Sequence, residues 1–144
     1  MTDLVRVFVY GTLMSGGRNA GLMAGAQPLG PAVTADAVWR LEQFNSASSP
    51  GRQTPALRKG GTARVMGEVW EVDAEGLARL DRLEQNGVRY LRELVALKGG
   101  GTAWAWVLIA PDAPSDRQDR IVTDPATGAL AWHRVEPTMP DTLS

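Results

Sequence analysis

No cysteine occurs among the 144 residues, and His133 is the only histidine. Without cysteine the chain forms no disulfide, offers no thiolate nucleophile and builds no zinc site of the Cys/His type. A Ser-His catalytic pair would have to use His133. We therefore expect any catalysis to rest on carboxylates, hydroxyls and main-chain dipoles, with neither a metal nor an organic cofactor.

An excess of charge of one sign and long apolar runs are missing as well. The formal net charge is −1, and arginines are interspersed with acidic residues along the chain. Without a basic stripe to neutralise phosphates, nucleic acid is not an expected partner. No apolar run approaches the roughly 18 residues of a membrane helix, and residues 1–6 lack the layout of a signal peptide. We expect a cytoplasmic protein that binds a small molecule and no membrane.

The length and the 44 % apolar composition predict a single domain over residues 1–144. No repeat or linker divides the chain. Residues 110–144 are rich in proline, aspartate and glycine, and we expect them to form an extension of this domain with an edge strand over 129–135. About six strands and one helix predict an α+β fold, because the strands are too closely spaced for a regular βαβ array.

The element pattern is clearest in the middle of the chain. Asp73 is the expected N-cap of a helix that reaches Glu84. Residues 42–54 are rich in turn formers and predict an exposed loop. Strands are predicted over 4–10, 28–41, 63–72, 89–97 and 102–110, with a bulge or close approach at Gly67 and with tryptophans and alanines on opposite faces of the last strand.

A buried strand that breaks into a glycine loop opens the chain. Residues 7–10 are apolar, and Gly11 begins a turn that runs to Arg18. This turn lacks the Lys-Ser/Thr pair with which a phosphate loop reaches phosphate and Mg²⁺, so it does not predict a nucleotide site. Main-chain N–H groups from Gly11 to Met14 can bind a carboxylate or an oxyanion. The alternative is an ordinary turn after a strand.

Glu84 lies on the apolar side of the predicted helix. Leu77, Leu80 and Glu84 are spaced i, i+3 and i+7, which puts them on one face. Burial and the negative end of the helix dipole both favour a raised pKa for Glu84, which suits a general base near neutral pH. The alternative is a helix-end ion pair with Arg89 or Arg92.

Tyr90 and Arg92 are i and i+2 in the strand after the helix and are expected to share a face. A phenol beside a guanidinium can hold a substrate carboxylate. The alternative is a tyrosine packed in the sheet with an arginine at its rim.

These segments occur in a characteristic order along roughly residues 5–109. They are Tyr10-Gly11-Thr12-Leu13 with Asn19 after it, Pro55-Ala-Leu57, Gly67-Glu-Val-Trp-Glu-Val72, Leu80-Asp81-x-x-Glu84 and Tyr90-x-Arg92. Together they resemble the gamma-glutamylcyclotransferase-like family, of the gamma-glutamylamine cyclotransferase type. The resemblance implies a small mixed β-barrel flanked by helices, with the active site at the barrel mouth.

The resemblance also implies a reaction. Glu84, at the position of the family's catalytic glutamate, would take a proton from the α-amine of a γ-glutamyl amide. The amine would then attack the γ-carbonyl within the same molecule, which forms 5-oxoproline and releases an amine or amino acid. Tyr10, Gly11, Thr12 and Leu13 would hold the γ-glutamyl group, and Tyr90 and Arg92 would complete the substrate site.

Other functions stay open on the sequence. One is a non-catalytic small-ligand-binding module of the same fold. Another is acyl transfer with Ser15 as nucleophile and His133 as its base. Residues 42–54 are expected to shape the leaving-group pocket, and the sequence does not name the leaving amine.

Overall fold

The computed structural model of this chain describes residues 4–11, 23, 25–45 and 51–133. These residues form nine strands and one α-helix, which confirms the α+β class. In chain order they are β1 (Val5–Val9), β2 (Gln27–Val33), β3 (Trp39–Asn45), β4 (Gln53–Lys59), β5 (Met66–Val72), α1 (Ala74–Leu83), β6 (Tyr90–Ala96), β7 (Thr102–Leu108), β8 (Ile121–Thr123) and β9 (Leu130–Trp132).

Strand β7 organises the main sheet, whose order is β2-β5-β1-β7-β4-β3 with β6 also paired to β7. One edge of β7 carries β6 along its whole length. The other edge is shared, because Val7 of β1 lies opposite Trp104 and Leu57 of β4 lies opposite Val107, both in parallel pairs. Strands β1 and β4 therefore diverge beside β7, at the end of β1.

The closed barrel implied by the family resemblance is not shown. The described sheet is open, with β2 and β3 at its ends. One isolated antiparallel bridge, between Thr34 and Leu97, joins the residues that follow β2 and β6. A single bridge draws two strand ends together without a continuous ladder between the strands, so the sheet curves without closing.

The region from residue 28 to residue 54 differs from its prediction. The expected single strand over 28–41 is two strands, β2 and β3, and the expected loop over 42–54 contains the end of β3 and the start of β4. The polar side chains are the reason. Gln43 is fully buried, and its Nε2 donates to Oε1 of Gln53 at 2.9 Å. Such a pair satisfies polar groups inside a sheet, and hydropathy alone does not reveal it.

The two faces of the sheet each carry a hydrophobic core. On β1, Phe8 and Tyr10 belong to one cluster, and Val7 and Val9 belong to the other, so the prediction of a strand buried on both faces is confirmed. Strand β7 repeats this division. Its Ala103 and Ala105 lie in the first cluster, and its Trp104 and Trp106 lie in the second.

Strand β5 approaches β1 closely at Gly67. A Cβ atom at this position would lie 2.3 Å from the main-chain oxygen of Val9. The absence of a side chain therefore allows the two backbones to pack, and the predicted close approach at Gly67 is confirmed.

Helix α1 begins where the sequence predicts. The Asp73 carboxylate accepts a hydrogen bond from the Gly76 N–H at 2.8 Å, which caps the first turn. Leu80 is 1 % exposed and packs on the second core cluster. The helix ends at Leu83, and Glu84 is its C-cap. No helix in the described part of the chain has the length and apolar character needed to cross a membrane.

Residues 115–120 are fastened to β3 through Gln43. The Gln43 side-chain oxygen accepts from the Arg120 N–H at 2.9 Å. Its main-chain N–H donates to Oε1 of Gln118 at 2.9 Å, and its main-chain oxygen accepts from the Ser115 N–H at 2.9 Å. Beyond this segment β8 and β9 form a hairpin, where the sequence predicts an edge strand. The assignment of residues 1–144 to one domain stays a prediction.

Replacing Gln43 by leucine is expected to destabilise the protein by about 1–3 kcal/mol for each buried partner left without a hydrogen bond. Those partners are the Gln53 side chain and the Arg120 N–H. Urea unfolding measures the change. Gln27→Leu is the matched control, because Gln27 lies on a strand but is exposed, and we expect it to shift stability by no more than about 0.5 kcal/mol. Equal effects of the two substitutions would contradict the structural role of Gln43.

Candidate active site

A cavity opens where β1 and β4 diverge. It has about 40 Å³ of space accessible to the centres of water molecules, enough for about three waters. Apolar walls enclose a small number of polar groups, which is the usual character of a ligand site. The lining residues are Phe8, Val9, Tyr10, Gly11, Thr54, Pro55, Glu84, Tyr90 and Trp106.

Tyr10 holds the divergence of the strands in place. Its hydroxyl donates to the main-chain oxygen of Trp106 in β7 at 2.8 Å and accepts from the Leu57 N–H of β4 at 3.2 Å. The phenol thus satisfies two main-chain groups where the strands separate. Burial raises the pKa of Tyr10 well above its ordinary value, so the group stays neutral. Tyr10 is one of the predicted substrate-binding residues, but its hydroxyl is already hydrogen-bonded to two main-chain groups.

Gly11 follows β1 at the cavity wall and is buried. A Cβ atom here would lie 2.5 Å from Cγ of Pro55 on β4, so a side chain would collide with the opposite wall. Thr12 and Leu13, the remaining predicted donors of this loop, lie outside the described residues. Ser15, the candidate nucleophile of the alternative acyl transfer, lies outside them as well.

Glu84 brings a carboxylate to the cavity from the end of α1. Burial raises its pKa from 4.5 to about 7. The alternative of a helix-end ion pair does not hold, because the two arginines in question bind other acids. Arg89 pairs with Asp112, and Arg92 pairs with Asp81. No residue in the described ranges forms a salt bridge or side-chain hydrogen bond with the Glu84 carboxylate.

Tyr90 lines the same cavity as Glu84, from the start of β6. Its ring packs against the small cluster that contains Phe44 and Leu108. Burial, with a contribution from the negative charge of Glu84, raises the pKa of Tyr90 above its usual range. Within the described part of the chain its hydroxyl makes no hydrogen bond. A neutral phenol with a free O–H is therefore available to a ligand.

The fold does not bring Arg92 to the cavity that Glu84 and Tyr90 line. Its guanidinium binds Oδ2 of Asp81 at 2.5 Å and lies over the Trp104 ring, 5.0 Å from the centroid. It does not line the cavity. Tyr90 and Arg92 do lie on the same strand, two residues apart, but only Tyr90 reaches the candidate site.

Five lining residues were not singled out as site residues by the sequence reasoning: Phe8, Val9, Thr54, Pro55 and Trp106. Pro55 could have been found from the sequence, since it belongs to a segment that resembles the gamma-glutamylcyclotransferase-like family. Thr54 was placed in an exposed loop, and the apolar residues are indistinguishable from core positions in a sequence. Within residues 4–11, 23, 25–45 and 51–133 there is no group of three or more His, Asp or Glu side chains that could hold a metal ion.

Comparison with known proteins decides the family. A family model described as gamma-glutamyl cyclotransferase, AIG2-like, matches residues 7–128. The chain belongs to this AIG2-like family. The gamma-glutamylcyclotransferase family protein YtfP of Escherichia coli K12 is 34 % identical to it over 107 residues, which cover 74 % of this chain and 85 % of that protein.

Solved structures show that the fold of this AIG2-like chain is shared. An uncharacterized protein from Pyrococcus horikoshii aligns with a TM-score of 0.59 and 26 % identity, covering 79 % of this chain and 86 % of that one. An AIG2-like protein from Mus musculus aligns with a TM-score of 0.64 and 22 % identity, covering 94 % of this chain and 99 % of that one. At this low identity the mouse protein supports the fold alone.

Glu84→Gln is expected to stabilise the AIG2-like chain at pH 8 more than at pH 5. Because burial raises the pKa of Glu84 from 4.5 to about 7, the unfolded chain loses a proton between these values that the folded chain keeps. Stability therefore falls as pH rises through this window, by roughly 3 kcal/mol in total above it. Glutamine does not titrate, so the variant does not lose stability in this way as pH rises. Urea unfolding of both proteins at pH 5 and pH 8 measures the difference.

Glu75→Gln is the matched control for this measurement, because Glu75 is an exposed carboxylate on the same helix. A gain in stability from Glu84→Gln that is equal at the two pH values would show that Glu84 has no raised pKa in the folded protein.

Proposed function

We propose that this protein is a gamma-glutamylcyclotransferase with Glu84 as its general base and acid. The observation that carries the proposal is a carboxylate with a pKa of about 7 and no side-chain partner among the described residues, in a cavity shared with Gly11 and Tyr90. Membership of the AIG2-like family supports the reaction class, as does the name of the Escherichia coli relative.

The proposed reaction is an intramolecular acyl transfer. The neutral α-amine nitrogen of the γ-glutamyl group attacks the γ-carbonyl carbon, and Glu84 takes a proton from that nitrogen as the new bond forms. A C–N bond closes the five-membered ring of 5-oxoproline, and the original amide C–N bond breaks. The protonated Glu84 then gives its proton to the departing amine. Holding the substrate folded supplies much of the rate, since the two reacting groups belong to one molecule.

The end of β1 is the proposed binding element for the substrate's carbonyl groups. Gly11 lines the cavity without a side chain, so a ligand can approach its backbone. We propose that main-chain N–H groups from Gly11 through Leu13 stabilise the oxyanion and anchor the γ-glutamyl group, and that the Tyr90 hydroxyl donates a further hydrogen bond. Loss of one such donor typically costs about 10²–10³ in rate.

A panel of γ-glutamyl amines and γ-glutamyl amino acids tests the proposal, with release of 5-oxoproline as the measurement. We expect turnover by the wild type and a fall in kcat of about 10²–10⁴ in Glu84→Gln. The rate should fall as pH drops below about 7, because a protonated carboxyl accepts no proton. Glu75→Gln should retain wild-type activity.

Absence of 5-oxoproline from the whole panel, or full activity in Glu84→Gln, would contradict the proposal. Thermal stabilisation by a γ-glutamyl compound without turnover would instead indicate a non-catalytic binding module.

The two tyrosines of the cavity are expected to respond differently to loss of the hydroxyl. Tyr90→Phe removes an O–H that no described residue uses, so kcat/KM should fall about tenfold with little change in thermal stability. Tyr10→Phe leaves the Leu57 N–H and the Trp106 oxygen unpaired, so the protein should lose about 1–3 kcal/mol of stability. Thermal unfolding and steady-state kinetics of both variants provide the comparison. Equal loss of stability in both would contradict the assigned roles.

A further inference from the structure

Asp81 makes two charge-assisted contacts near the end of α1. Its Oδ2 binds the guanidinium of Arg92 on β6 at 2.5 Å, and its Oδ1 accepts from the indole N–H of Trp106 on β7 at 2.9 Å. Asp81 thus joins the helix to two strands of the sheet. The Arg92 side chain is 24 % exposed, so the pair is partly withdrawn from water and less screened than a surface pair.

The turn after the helix is attached to the same two residues. The Asn86 N–H donates to the main-chain oxygen of Asp81 at 2.9 Å, and the Asn86 side-chain oxygen accepts from the Arg92 N–H at 2.8 Å. Glu84 lies between Asp81 and Asn86, so its backbone is held on both sides. None of these contacts uses the Glu84 carboxylate, which lines the cavity.

The contacts of Asp81 and Asn86 keep the Arg92 guanidinium from pairing with Glu84. Asp81 and Glu84 are i and i+3 at the end of one helix, a spacing that puts two side chains next to each other. Side chains at this spacing have Cβ atoms about 5–6 Å apart, so the long, flexible Arg92 side chain can reach Glu84 once Asp81 no longer binds it. An ion pair of that kind would hold Glu84 ionised and occupied.

The other charges of this region are engaged elsewhere. Among the described residues, the titratable groups that interact with Glu84 are the phenols of Tyr10 and Tyr90. Beyond Tyr90, Arg89 pairs with Asp112, and Arg58, whose side chain is 16 % exposed, donates to the main-chain oxygen of Asp112 at 2.5 Å. Within the described ranges, the Asp81–Arg92 pair is the salt bridge that joins α1, which ends next to Glu84, to the strand that begins at Tyr90.

We propose that Asp81 is a positioning residue that keeps Arg92 paired outside the cavity and away from the Glu84 carboxylate inside it. Arg92 is then a partner of Asp81 and does not bind substrate. The inference rests on the proposed function for the role of Glu84, but its structural content does not require turnover.

Titration of the Glu84 side-chain carbon by ¹³C NMR tests the proposal without substrate, with Glu84→Gln assigning the signal. In Asp81→Asn, the freed Arg92 should lower the Glu84 pKa by about 1 unit or more. In the double variant Asp81→Asn/Arg92→Gln, the pKa should return to the wild-type value. An unchanged pKa in the single variant, or a pKa that stays low in the double variant, would overturn the proposal. Asp116→Asn is the matched control, because Asp116 is exposed and loses the same charge.

Arg92→Gln is the second variant and decides the question even where Asp81→Asn does not fold. Asp81 keeps its contact with Trp106 in this variant but loses its counter-charge, so the Glu84 pKa should not fall below its wild-type value. With an active γ-glutamyl substrate, KM should stay within about twofold. A rise in KM of about tenfold or more, as expected for loss of an arginine–carboxylate contact, would assign Arg92 to substrate binding and overturn the proposal. If the wild type has no turnover, the proposed function fails while the titration still decides the role of Asp81.

Discussion

The hydroxyl of Tyr10 makes the contact on which the candidate site depends. Two parallel strands, β1 and β4, share one edge of β7 and separate there. Separation of paired strands leaves main-chain groups exposed to an apolar interior, which is costly. One phenol satisfies both a carbonyl of β7 and an N–H of β4. The sheet can therefore open at a defined position, and the cavity lies in that opening.

Around this opening the charged side chains pair with one another, and the Glu84 carboxylate has no side-chain partner among the described residues. Each neighbouring arginine binds a different acid, Arg92 with Asp81 and Arg89 with Asp112. Glu84 keeps the raised pKa that burial produces. Such a group reduces the stability of the folded state above neutral pH, and this cost is characteristic of sites arranged for chemistry more than for stability.

The parts of the fold that depend on neighbours in the chain were predicted well. The N-cap at Asp73, the burial of β1 on both faces and the alternation along β7 follow from local spacing and side-chain size. The prediction of a loop over residues 42–54 was wrong where β3 and β4 extend into it. There the deciding contacts join Gln43 to Gln53 and to residues 115–120, and no local pattern specifies such partners. The closed barrel, taken from resemblance, also depends on pairing between distant strands.

The sequence by itself determined that Glu84 lies on the apolar stripe at the end of a helix, that a buried strand stops at Gly11, and that the motifs follow the order of one family. Helical and strand periodicities are local properties, so they can be read from spacing. Only the tertiary structure decided that neither Arg89 nor Arg92 pairs with Glu84, and that Arg92 is bound to Asp81 outside the cavity. Choice of an ion-pair partner depends on which side chains the fold brings within a few ångströms, and the two arginines near Glu84 in sequence are held by Asp81 and Asp112.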